Sequence, residues 1–209
     1  MNKERTEIVV LMDASGSMHS IREDAVGGFN AFVEDQKKES GEANLTVTFF
    51  DSNRYAKWQD GIDLQSCPVL GAEYQPGAST PLLDAMGRTI EELGVRLSGL
   101  DDAERPGRVI VIILTDGHEN SSRHFTKERV KELIRQQEET YKWEFVYLGA
   151  NVDAFAEGAE MGFRAQNIAG YTSSKKGILA AFDVLSTSAK QYRRRGVVED
   201  LGRQIGEDE

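Results

Sequence analysis

The chain has 209 residues, a formal net charge of −10 and a single cysteine, Cys67. That length suits one α/β domain, a content of 39% hydrophobic and 29% charged residues is that of ordinary folded proteins, and the acidic balance argues against nucleic acid as a partner. No apolar run approaches the roughly 20 residues of a membrane helix, a lone cysteine has no internal disulfide partner, and no secretory leader pattern opens the sequence, so a cytoplasmic protein with no membrane partner is expected.

Residues 7–12 are short, β-branched and apolar on both faces, which predicts a buried parallel strand followed at once by a Ser/Gly loop. From Met18, Ile21, Ala25, Phe29, Phe32 and Val33 recur at helical spacing until the polar run 36–41. Gly27 and Gly28 each cost that helix about 1 kcal/mol relative to Ala, which a close approach to the sheet would offset. Residues 45–50 read as a second strand, and 55–58 as a weaker one, joined by a turn so short that the two must be antiparallel. Residues 75–79 form a loop leading to Thr80, Pro81 at a first helical position, and a helix carrying Leu82, Leu83, Met86, Ile90, Leu93 and Leu97.

After a surface connection at 99–107, residues 109–114 are the least ambiguous strand and stop at Thr115, Asp116 and Gly117. Thr126 suits the cap of a helix burying Val130, Leu133 and Ile134. Residues 144–148 read as a strand, 154–161 as a short helix and 166–169 as a last strand. Ile178, Phe182, Leu185, Ala189 and Tyr192 make one helical stripe, with Arg193, Arg194 and Arg195 at its end, where the helix dipole favours cations. The domain is thus expected over residues 1–195, with 196–209 an acidic tail or short helix.

Strands alternating with helices imply a doubly wound, mostly parallel central sheet with one antiparallel edge strand and helices on both faces, a Rossmann-like α/β fold. Ligands of such sheets sit beyond the carboxyl ends of the strands, where the strand order reverses. Asp13 and Asp116 both lie at such ends, and the Thr80 loop is placed to reach them.

Asp13, Ser15 and Ser17 put one carboxylate and two hydroxyls at alternate positions after the first strand. Mg²⁺ prefers oxygen ligands at about 2.0 to 2.1 Å and keeps several waters, which suits hydroxyls with few carboxylates. Taken alone, residues 13–17 also read as a polar turn capping the first helix.

The string Asp13, Ala14, Ser15, Gly16, Ser17 resembles the DxSxS signature of von Willebrand factor A (vWA) domains. Thr80 resembles that family's loop threonine, and Asp116 its second aspartate, all in the family's order. The resemblance covers residues 7 to about 192. It implies a metal-ion-dependent adhesion site in which Ser15, Ser17 and Thr80 touch Mg²⁺, with Mn²⁺ or Ca²⁺ as substitutes, while Asp13 and Asp116 act partly through water. It also implies a protein partner whose acidic side chain completes the coordination. His19, Ser79, His118 and Glu119 are candidates for the partner-binding rim.

Other chemistries lack their residues. The chain has no GxxxxGK[ST] phosphate loop and no GxGxxG turn, and His118, Glu119 and His124 do not share a helical face as the zinc motif HExxH requires. A metal-dependent phosphohydrolase or nucleotide-binding enzyme is the alternative reading, although no nucleophile or general base is evident. An assembly component that makes no use of its site is a third.

Overall fold

The computed structural model describes residues 1–150, 153–198, 200 and 201. Six strands form one sheet: β1 (Asn2–Asp13), β2 (Glu42–Asp51), β3 (Arg54–Asp63), β4 (Pro106–Thr115), β5 (Glu144–Gly149) and β6 (Ile168–Gly170). Their order is β3-β2-β1-β4-β5-β6, parallel throughout except for the β2–β3 pair. The order reverses between β1 and β4, so the crevice that binds ligands in such sheets opens beside Asp13 and Thr115.

Successive β1 side chains point to opposite faces. Ile8, Val10 and Met12 pack in one core cluster against helices α1 (Arg22–Lys37) and α5 (Lys175–Arg195). Val9 and Leu11 pack in the other against α2 (Leu82–Ser98), α3 (Lys127–Gln136) and α4 (Ala154–Met161). The expected doubly wound α/β fold is therefore present. Among the described residues no helix is long and apolar enough to cross a membrane.

Several local expectations are corrected. The first helix opens as a 3-10 turn, Gly16–Ile21, and becomes α-helical only at Arg22. Pro81 stands just before α2 rather than within its first turn. A Cβ on Gly28 would lie 2.3 Å from Cδ2 of Phe182, so the close approach is to α5 and not to the sheet, while nothing lies within 4 Å of a Cβ on Gly27. Gln36, in the polar run, is buried and donates to the Ser186 carbonyl at 3.0 Å.

Arg193 does more than end a helix. Its buried guanidinium donates to the carbonyls of Gln36 at 2.6 Å and Gly41 at 3.1 Å, tying the last turn of α1 to the bend that leads into β2. Beyond α5, Val198 and Leu201 are buried in the core and the Leu201 amide donates to the Gln166 carbonyl at 2.9 Å. The packed body thus extends past residue 195, and the expectation for 202–209 lies outside the described residues.

Glu7 opens the apolar run of β1 yet is wholly buried. Its Oε1 accepts from Arg96 of α2 at 2.5 Å and from Thr46 at 3.0 Å. The Thr46 hydroxyl accepts from the Gly61 amide at 2.9 Å, where a left-handed φ of 66° lets the edge strand pass close to Arg96. An ion pair thereby ties β3 and α2 to the central strand, at the end of the sheet opposite Asp13.

Adjacent glycines in α1 should respond oppositely to the same change. Gly28→Ala is expected to lose about 1 to 3 kcal/mol through overpacking against Phe182, and Gly27→Ala to gain up to about 1 kcal/mol from helix propensity. Urea unfolding of the two variants checks this. Equal effects would rule out the α1–α5 contact as the reason for Gly28.

Candidate metal centre

Asp13 is the last residue of β1 and is fully buried. Its Oδ1 accepts from the Ser15 amide at 2.7 Å and its Oδ2 from the Thr115 hydroxyl at 2.6 Å. The Ser15 and Ser17 hydroxyls are 3.1 Å apart, and Ser17 donates to Asp116 Oδ1 at 2.5 Å. Thr80 comes from a distant loop, yet a Cβ built on Gly117 would sit 2.9 Å from Thr80 Oγ1, 3.5 Å from Ser17 Oγ and 3.7 Å from Ser15 Oγ. All five residues singled out in the sequence thus meet at one place, around a cradle that a side chain at position 117 would fill.

Backbone hydrogen bonds lace the contributing loops together. The Gly77 amide donates to the Ala14 carbonyl at 2.7 Å, and the Gly16 amide to the Ala78 carbonyl at 2.9 Å. Ala78 holds a left-handed φ of 35° to make this possible. The Tyr74 hydroxyl, buried in the same loop, donates to the Asp13 carbonyl at 2.5 Å. Arg22 and Asn30 of α1 pin the approach to this loop through the Tyr74 and Leu70 backbones.

On the other side, residues 119–125 and the start of α2 cap each other. The Thr80 amide donates to Asn120 Oδ1 at 2.9 Å, and the Asn120 amide returns a bond to the Thr80 carbonyl at 3.2 Å. Glu119 Oε2 accepts from the Leu83 amide at 2.8 Å, and the Ser122 hydroxyl from the Asp84 amide at 3.0 Å, satisfying donors that a helix start leaves open. Asp84 reciprocates, each bond being 2.8 Å, by accepting from the amides of Arg123, His124 and Phe125. Burial would raise the Asp84 carboxyl's pKa, but these three amides outweigh it and leave the pKa below the ordinary value.

The rim candidates divide. His19, Ser79 and His118 are exposed, and His118 Nδ1 contacts Glu157, whose other oxygen accepts from Tyr147 at 3.2 Å. Glu119 is half-buried, and both of its oxygens are taken by amides of its own loop and of α2. The sequence reading also missed Ser173, whose hydroxyl donates to Asp116 Oδ2 at 3.3 Å, and the anchors Tyr74 and Asn120. No motif marks these three; they are found only once the loops are brought together.

The electrostatics favour a cation. Burial pushes the Asp13 carboxyl up to about 6, with the Thr115 hydroxyl and Ser15 pulling it back and the Asp116 charge adding to the rise. Burial raises Asp116 as well. Their hydrogen bonds come from hydroxyls and one amide, and among the described residues neither carboxylate pairs with Lys, Arg or His. A buried carboxylate without a counter-charge is unfavourable by several kcal/mol. The donor set, all oxygen with three hydroxyls and two carboxylates, fits a small hard ion. Among the described residues no group of three or more His, Cys, Asp or Glu is placed to hold a metal ion.

No protein-family model matches this chain, and no curated protein matches it. Among solved structures, proximal thread matrix protein 1 from the mussel byssus superposes with a TM-score of 0.61 at 15% identity, over 91% of this chain and 48% of that one. A second crystal form of the same protein gives 0.57 at 15% identity, over 91% and 47%. This chain spans about half the length of those solved chains. At this identity the likeness extends to the fold alone.

Asn120→Ala removes the acceptor of the Thr80 amide while leaving the core untouched. It is expected to cost about 1 to 2 kcal/mol and to speed hydrogen exchange at the Thr80 amide well beyond the change at Val10. Unchanged exchange at Thr80 would show that Asn120 does not hold the loop.

Proposed function

We propose that the chain is a vWA-type domain that holds Mg²⁺ through Asp13, Ser15, Ser17, Thr80 and Asp116 and uses it to bind an acidic side chain of a partner protein. The observation that carries this reading is the buried Asp13 carboxylate, without a cationic partner, beside three hydroxyls gathered from two loops. Asp13 and Asp116 would formally balance the ion's charge. The bound ion would supply a Lewis-acidic point at which a carboxylate oxygen of the partner is attracted and oriented.

This chain's own residues supply the rest. Asp13 fixes the Ser15 amide, Asp116 receives the Ser17 hydroxyl, and Asn120 holds Thr80 in register. Gly117 keeps the space in front of the three hydroxyls free of a side chain. Mn²⁺ or Ca²⁺ would be accepted where an oxygen-only donor set discriminates weakly. The likeness to a matrix protein supports the fold on which this reading rests and nothing about the ion.

Calorimetric titration of the chain with MgCl₂ tests the reading. Saturable binding to one site is expected, abolished in Asp13→Ala and weakened at least tenfold in Gly117→Val, with Gly117→Val retaining the native near-ultraviolet circular dichroism. Absence of binding by the native chain, or equal binding by both variants, would falsify it. A turnover screen with phosphate esters and nucleotides addresses the enzyme alternative: metal-dependent turnover lost in Asp13→Ala would replace the binding module by a hydrolase.

A further inference from the structure

A groove of about 780 Å³ lies along the first turns of α2, lined by residues that flank Thr80 and Asn120 but by none of the five candidate metal residues. Ser52, Pro81 and Ser121 line its near end. Each adjoins the Thr80 loop: Ser52 exchanges two hydrogen bonds with Ser79, at 2.9 and 3.2 Å, Pro81 follows Thr80, and Ser121 follows Asn120. The groove thus begins one residue from Thr80, within reach of a peptide segment that has one side chain at the metal centre.

The groove's charges are not equally available. Four acids line it, and each is already engaged. Asp51 is held by its own turn's amides and by Arg54 at 3.1 Å. Asp84 accepts the three loop amides, Glu91 pairs with Arg129 at 3.2 Å, and Glu92 pairs with Arg88 at 2.6 Å and Lys57 at 3.0 Å. Of the basic side chains, Arg54 is likewise spent, on Asp51 at 3.1 Å and the Gln75 carbonyl at 2.5 Å, but the others are not. Among the described residues the Arg123 guanidinium and His124 imidazole, both exposed, make no hydrogen bond or ion pair. Arg88 engages Glu92 through Nε and lies 4.1 Å above the Tyr55 ring, with its side chain 54% exposed. The unspent hydrogen-bonding capacity is thus the donors of Arg123, Arg88 and His124, set on a wall that carries the Tyr55 and Phe125 rings.

From this geometry we infer that the groove takes a second carboxylate of the same partner, so that the ligand is an acidic peptide stretch and not one isolated acidic residue. This rests on the metal reading above and adds Arg123, Arg88 and His124 as the groups that select among partners. Charge contacts of this exposed kind contribute modestly and act chiefly on selectivity and association rate.

Two fluorescent peptides test it, hexaglutamate and a control whose six glutamates are held apart by long glycine and serine spacers, each titrated by anisotropy with Mg²⁺ and with EDTA. The native chain is expected to bind hexaglutamate about fivefold more tightly than the control in Mg²⁺. In Arg88→Ala/Arg123→Ala that advantage should vanish, while control-peptide and Mg²⁺ affinities stay as in the native chain. Raising NaCl should shrink the advantage in the native chain. Equal affinity for the two peptides, or an advantage that survives the double variant, overturns the groove assignment and leaves the metal reading standing. Binding of neither peptide in Mg²⁺, or of both in EDTA, overturns the metal reading and the groove with it.

Discussion

A carboxylate at the end of a central strand, cut off from water, shapes everything around it. Asp13 cannot be hydrated, so its oxygens must be met by donors that the fold brings to them. They come from two neighbouring strand ends: the Ser15 amide from the turn after β1 and the Thr115 hydroxyl from the end of β4. Its backbone carbonyl receives the Tyr74 hydroxyl from a third segment. These bonds fix geometry but bring no full positive charge, and burial holds the Asp13 carboxyl's pKa up at about 6.

The loops around that carboxylate are held as firmly as strands. Ala14 and Gly16 bond to Gly77 and Ala78, Ser52 to Ser79, and Thr80 to Asn120, so the three oxygen-bearing segments are cross-linked before any ion arrives. Ordering a residue costs roughly 1 to 2 kcal/mol of backbone entropy, and here the backbone network has met that cost during folding. The two-way capping between α2 and residues 119–125 extends the same logic outward. Asp84 and Glu119 are acidic residues whose task is internal, to shape the loop that carries Thr80, and neither is available to a ligand.

The buried architecture was legible because periodicity reports burial. The runs at 7–12, 109–114 and 144–148 are apolar on both faces, and each lies inside an observed strand. What escaped was structure whose sequence is polar. The first residues of β1 pair with β2 and β4 through backbone bonds while carrying Arg5, which binds Glu42 at 2.7 Å. As an edge strand, β3 is half-exposed along its length, so its pattern faded beyond residue 58 although pairing continues to Asp63. Gly28 shows a different limit: the sequence marks a close approach but not the partner, and Phe182 lies 154 positions away. At the site, Asp13, Ser15 and Ser17 were legible by their spacing, and Thr80 and Asp116 through the resemblance to vWA domains. Asn120, Tyr74 and Ser173 were not, since a single polar residue in a loop has no pattern to stand against.

Net charge gives little guide to what this surface attracts. The chain carries −10, yet at physiological ionic strength fields between exposed charges fade over about 8 Å, so a ligand at the Thr80 end of the molecule feels mainly the groups beside it. There the acids are consumed: Asp51 and Asp84 by backbone amides, Glu91 and Glu92 by arginines and a lysine. An acid whose oxygens are already occupied still contributes its charge, but it offers a ligand no acceptor, whereas Arg123 and His124 still offer donors. Short-range contacts at this end are therefore set by individual donors and acceptors rather than by the net charge of the whole chain.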